Sequence, residues 1–429
     1  MNLRDEVVDL LQRLIRLDTT NPPGNETPAA ELLREYLEAS GVTCELYAKE
    51  PSRANLVARL RGGDGPTLAL LSHTDVVLAD AAEWERDPFG GELVDDVVWG
   101  RGALDMKGQV AASAVALASL AREGWRPKGE LTFVAAADEE FGVGVGLQWL
   151  VGAHPDAVRA DFALNEGAGD RIEVDGRALY LCSTAEKMSA PFRLRVQGRS
   201  GHASMPAIAD NALVKASALI EKLAAYVPEP RIEPEVAGLV EAIAGRVPDR
   251  ADEIVPLVGS YDAMLGELVR PLLAPTFSPT MITASQKRNV IPATCDVTVD
   301  SRLLPGQTPQ DQLGLVRAVL GPGEYDLESL ESQGGTRSPI GGPLWDAVRS
   351  FVGDEEPGAV VAPICVAGFT DSHWMRDAFD TVAYGFFPAR AMPAAEAALL
   401  IHSANERIPV ADLELGVRFF RHAAQSVLA

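Results

Sequence analysis

The chain has 429 residues, too many for one ordinary hydrophobic core, and its apolar content of 47% is enough for two. A formal net charge of -23 argues against nucleic acid and anionic membrane surfaces as partners, because phosphate recognition needs clustered Lys and Arg. The four cysteines, Cys44, Cys182, Cys295 and Cys365, lack C-x-x-C spacing and sit in apolar settings, so they read as buried free thiols rather than ligands or disulfides.

The start of the chain is charged and amphipathic, without the unbroken apolar core of a signal peptide, and no run approaches membrane-spanning length. A cytoplasmic protein is expected. Apolar residues at Val7, Val8, Leu10, Leu11, Leu14 and Ile15 recur at helical spacing until Asn21-Pro22-Pro23-Gly24-Asn25 breaks the pattern. A second helix is predicted over 28–40. Short apolar runs over 55–60, 67–71, 131–137 and 161–164 read as buried strands, with a helix over 108–122 among them. That alternation predicts an α/β fold built on a doubly wound, mainly parallel sheet. From about Met188 the texture changes to an alternating strand over 191–198, a helix over 211–226, strands over 280–285 and 294–302, and a helix over 309–320. This order suggests an inserted α+β domain over 188–336, dividing a first domain into 1–187 and 337–429. The stretch over 228–280 is longer than such an insert requires and reads as a helical elaboration. An amphipathic helix over 410–428 closes the chain.

Ser72-His73-Thr74-Asp75 opens a series of side chains able to ligate metal. Asp105 follows in Gly102-Ala103-Leu104-Asp105-Met106-Lys107-Gly108, Glu139 and Glu140 in Ala137-Asp138-Glu139-Glu140, Glu166 in Asn165-Glu166-Gly167, and His402 in His402-Ser403-Ala404-Asn405-Glu406. Two His and three carboxylates can hold a paired site, whereas one ion of the zinc type needs only about three or four ligands. His73, Glu139 and Glu166 each follow a predicted strand, which is where open α/β sheets put their sites. Asp75, two residues on along extended chain, is placed to accept the other ring N–H of His73. The bland readings are a core histidine at 73, a helix cap at Asp105 and a solvated acidic loop at 138–140. The glycines around Asp105 and the apolar strand before Asp138 favour the metal reading.

These motifs, together with Trp84 to Phe89, Gly201-His202-Ala203-Ser204, Asn289-Val290-Ile291-Pro292, Asp300-Ser301-Arg302 and Thr370-Asp371-Ser372, resemble those of the di-zinc metallohydrolases. That family includes aminoacylase, acetylornithine deacetylase, succinyl-diaminopimelate desuccinylase and carboxypeptidase G. The resemblance runs from the first helix to the last, and the order and spacing of the motifs make it specific. It implies two Zn²⁺, although Co²⁺ or Mn²⁺ accept the same ligands. His73 and Glu166 would complete one ion and Glu140 and His402 the other, with Asp105 bridging. It further implies Glu139 as general base and an inserted lid and dimerisation domain. His202 of that lid would steady the oxyanion from across a homodimer. Asn289, Arg302, Gly368 and Thr370 match positions that hold the substrate carboxylate and scissile carbonyl. Two positions depart from the pattern: His373 stands where Arg is common, and Met188 where Gly is usual.

The function expected is hydrolysis of an amide bond next to a free carboxylate in a small molecule, foremost N-acyl-amino-acid deacylation, because Glu at position 166 is typical of that branch. Dipeptidase or carboxypeptidase action is the alternative within the family. A metal-free binding protein and a structural assembly protein are the readings from other classes, and the intact ligand set disfavours both.

Overall fold

The computed structural model describes residues 2–429. They form two compact units. The first comprises Met1–Thr184, Ser338–Ile364 and Thr370–Ala429, and the second Ala185–Arg337 and Cys365–Phe369.

The first unit is built on a mixed sheet of β1 (Thr43–Ala48), β2 (Ala54–Arg61), β3 (Thr67–His73), β4 (Glu130–Ala136), β5 (Phe162–Asn165), β6 (Arg177–Glu186), β7 (Val360–Val366) and β8 (Val382–Gly385). Their order across the sheet is β1-β2-β4-β3-β5-β8-β6-β7. The centre is parallel: β3 runs alongside β4 and β5, and β5 alongside β8. Both flanks are antiparallel, through β1, β2 and β6.

The unbroken apolar runs of β3 and β4 follow from burial on both faces, as parallel strands require. Successive side chains point to opposite faces. Leu68 and Leu70 therefore enter the larger core, with the helices Leu3–Ile15, Lys107–Arg122 and Val410–Val427, while Ala69 and Leu71 enter a second core with Leu147, Leu150 and Met375. The helix Lys107–Arg122 is buried along almost its whole length, and its small residues, Ala111, Ala112, Ala114, Ala116 and Ala118, allow close packing against the sheet.

The second unit centres on the strand Thr294–Leu303, which pairs antiparallel with Phe192–Gln197, Met188–Ser189 and Thr276–Thr283. Alternate residues of Phe192–Gln197 and Thr294–Leu303 point inward. They pack under the helices Ala212–Ala225 and Pro309–Leu320 in one apolar cluster with Ala216, Val316 and Leu320. The stretch over 228–280 folds into the helices Pro234–Ala244, Ile254–Gly259 and Ala263–Val269. Lys187 ties its end down by donating to the carbonyls of Pro271 and Ala274 at 2.7 and 2.9 Å. No helix of the described residues is long and apolar enough to cross a membrane.

Candidate metal centre

Three adjacent central strands deliver the first ligand candidates at their carboxyl ends. His73 is the last residue of β3, Glu166 follows β5 directly, and Glu139 and Glu140 follow β4 after a turn in which Asp138 takes a φ of 68°. A left-handed Asp is uncommon and marks a backbone held by its surroundings. Asp105 ends the loop before the helix Lys107–Arg122, and its peptide bond to Met106 is cis. His402 lies in the loop after the helix Ala394–Leu400, at a φ of 61°.

These side chains converge. His73 Nε2 lies 3.2 Å from Asp105 Oδ1, 3.6 Å from Glu166 Oε2 and 4.0 Å from Glu139 Oε2. His402 Nε2 lies 3.1 Å from both Asp105 Oδ2 and Glu140 Oε2. Asp105 thus offers one oxygen to each imidazole, the geometry a bridging carboxylate needs. Ligand atoms of His73, Glu139 and Glu166, and likewise of His73, Asp105 and Glu140, lie within 4.8 Å of one another.

Polarity and charge show that the residues fit cations. Among the described residues, His73 Nε2, Asp105 Oδ1 and Glu140 Oε1 are buried without a hydrogen-bond partner. Buried polar atoms are almost always satisfied, so orphans on three of the converging side chains fit a site that takes an ion. Burial pushes the carboxyl of Glu166 up to about 7, with Asp105 and Glu140 adding to the rise. Burial and the Glu166 charge together hold Glu139 well above the usual carboxylate range. Burial likewise raises Asp371, to about 8, with the charges of Glu166 and Asp75 adding to the rise. Hydrogen bonds to Asp105 and Glu140 raise His402 to about 10. A group of crowded carboxylates of this kind is stabilised by divalent cations.

A support network lies behind the ligands. Asp75 is fully buried and accepts the backbone N–H groups of Glu139 and Glu140 at 3.1 and 3.0 Å, while His73 Nδ1 lies 3.4 Å from Asp75 Oδ1. Asn21 Nδ2 donates to both Asp75 and Asp138, at 2.9 and 3.1 Å. Arg53 reaches Asp138 at 3.4 Å and pairs through both ends of its fork with the buried Glu26. Glu406, also fully buried, accepts from the backbone N–H groups of Gly102, Leu104 and Asp105 and from Arg101, fixing the loop that carries Asp105. The motifs give no role to Asn21, Arg53, Glu26, Asp138 or Glu406. Asn21 reads as a helix breaker, and only the density of polar residues around Pro22-Pro23 hints at a buried function.

His202, Asn289, Arg302 and Gly368 belong to the second unit, and Thr370 to the first. His202 is exposed, with Nδ1 2.7 Å from Ser204 Oγ. Arg302 donates to Asp300 at 3.1 and 3.3 Å, and both remain partly open to solvent. His373 is buried. It donates from Nδ1 to the Thr370 carbonyl at 2.6 Å, and burial pushes its pKa down to about 4.

The family model described as peptidase family M20/M25/M40 matches residues 69–426. A succinyl-diaminopimelate desuccinylase of Rhodospirillum centenum is 29% identical over 426 residues, covering 95% of this chain and 93% of its own. An N-fatty-acyl-amino acid synthase/hydrolase of Xenopus tropicalis is 27% identical over 451 residues, covering 99% and 86%. The crystal structure of a metallo-carboxypeptidase of Sulfolobus solfataricus superposes with a TM-score of 0.73 at 19% identity, covering 99% of both chains.

Proposed function

Because the chain belongs to peptidase family M20/M25/M40 and is thereby a metal-dependent hydrolase, we propose that it is an N-acyl-amino-acid deacylase working with two zinc ions. The observation that carries this reading is the convergence of His73, Asp105, Glu140, Glu166 and His402, with Glu139 beside them. His73, Asp105 and Glu166 would hold one ion, and Asp105, Glu140 and His402 the other. When bound, such ions polarise the scissile carbonyl and acidify water.

The chain's own residues do the rest. Asp75 sets the tautomer and direction of the His73 ring. Glu139 takes the proton of the attacking water and returns it to the leaving nitrogen. Asn289, Arg302, Gly368 and Thr370 hold the carboxylate of the amino-acid half. Arg302 presents a planar fork for it, exchanging Asp300 for substrate. His202 steadies the oxyanion and comes from the partner in a homodimer. In support of the homodimer, the outer strand Thr276–Thr283 leaves Met281 65% and Ile282 52% exposed, and bare apolar strands of this kind invite pairing.

A panel of N-acyl amino acids and dipeptides tests the reading. N-acyl amino acids are expected to be turned over faster, and Glu139→Gln to lose about 10² to 10⁴-fold in kcat while keeping its metal. Turnover of dipeptides alone would move the protein to the peptidases of the family, as the name of the Sulfolobus relative suggests.

A further inference from the structure

We propose that a cavity of about 210 Å³ in the first unit, bordered by Asp105 and Glu166, receives the acyl chain of the substrate and selects a neutral apolar chain over one ending in a carboxylate. The proposal rests on the deacylase reading and narrows it. Pockets that take a whole small molecule run to about 300–1,000 Å³, so this one has room for a substituent only.

Its apolar wall is made by Leu104, Phe387, Met392, Ala397, Ile401 and Ile408. Leu104 precedes Asp105 and Ile401 precedes His402, so the wall is covalently continuous with two of the ligand candidates. Met392, Ala397 and Leu400 pack against Leu104 as a small core of their own, which makes the wall a fixed structure rather than a loose loop. Asp105 and Glu166 are themselves part of the lining, so the cavity adjoins the residues at which a scissile carbonyl would be held.

Charge decides which half of the substrate enters. The lining includes Asp170 and Asp412 and no Lys or Arg. Asp412 is committed to the backbone N–H groups of Arg390, Ala391 and Met392. Burial raises the pKa of Asp170, and the Asp412 charge adds to the rise. The amino-acid half carries a carboxylate, as does a succinyl tail, and on this wall either would meet Asp170 and Asp412 with no Lys or Arg to pair with. A neutral chain meets apolar wall, and each buried methylene is worth on the order of fourfold in binding.

The test compares kcat/KM for the N-acetyl, N-hexanoyl and N-succinyl derivatives of one amino acid on the metal-loaded full chain. Hexanoyl is expected to exceed both others by tenfold or more on the order of the methylene contribution. Ala397→Trp fills the cavity and should remove that advantage. Ala389→Leu, a milder filling of the same lining, serves if the Trp variant does not fold. In parallel, calorimetry with free hexanoate and succinate reads the cavity without turnover: hexanoate should bind more tightly, and less so in the filled variant. No deacylation together with this binding pattern would sink the deacylase reading and leave the cavity assignment standing. A flat chain-length profile, or hexanoate binding indifferent to the filling, would overturn the cavity assignment.

Discussion

Glu406 shows how much of the centre depends on side chains that cannot touch a substrate. Its carboxylate is the shared acceptor for three backbone N–H groups and one guanidinium, all in a buried loop. Glu406→Ala would leave these donors unpaired at about 1–3 kcal/mol each, so a large fall in thermal stability is expected, together with weaker metal retention because Asp105 loses its support. Unchanged melting and metal content would show that water replaces the carboxylate without loss. The imidazole of His402 gives a second prediction. Its pKa in the folded chain is raised to about 10 by Asp105 and Glu140, above the ordinary histidine value. A raised folded pKa means stability that is fully present below the unfolded value near 6.5 and is lost as pH rises through about 10. The metal-stripped protein should therefore lose stability across that window. Restoring metal should remove the slope, because a ligating imidazole is neutral and binding releases its proton. Melting temperature against pH, with and without added zinc, checks both halves.

At the scale of elements, the centre depends on strand ends meeting closely, and glycine permits one such meeting. Gly385 ends β8 opposite Asn165, and a Cβ there would stand 2.1 Å from the Glu166 carbonyl oxygen and 2.9 Å from its carbon. Both are backbone atoms that cannot swing aside, so Gly385→Ala must push Glu166 away or open the sheet, at about 1–3 kcal/mol. We expect kcat/KM to fall at least tenfold with a weakened metal; full metal affinity in the variant would refute the close-contact argument. The strands that carry the ligand candidates were legible in the sequence because burial on both faces makes them continuous apolar runs ending at His73, Ala136 and Asn165. The other side of the sheet was not. β7 contains Pro363, which reads as a breaker, yet β7 lies at the sheet edge, where a missing N–H costs no ladder bond. β6 and β8 pair with partners distant in sequence, which no local pattern announces. The ligand candidates could be read from residue type and motif, and the structure brings their side chains together. The Asn21–Asp138–Arg53–Glu26 network could not, because its members are separated in sequence and only the fold brings them together.

At the scale of the whole molecule, the proposed homodimer makes each site depend on both chains. A donor to the oxyanion commonly contributes about 10² to 10³-fold in kcat, so His202→Ala should be nearly inactive while its metal content stays intact. Glu139→Ala should be inactive for a different reason, loss of the proton carrier. If His202 serves the partner's site, a mixed dimer of the two variants holds one site with both residues and one with neither. Random exchange makes half the dimers mixed, with one intact site in two, so recovery of about a quarter of wild-type activity is expected for a twofold assembly. The experiment needs exchange to be demonstrated, for example by a mass tag on one variant. Full exchange without recovery would place His202 within its own chain's site or outside catalysis. The outer strand gives an independent handle: Met281→Lys with Ile282→Lys puts charge at two exposed positions of Thr276–Thr283, where added lysines oppose edge pairing. That variant should sediment as a monomer and lose activity in the same proportion as His202→Ala, while retaining its metal. A fully active monomer would overturn the shared site.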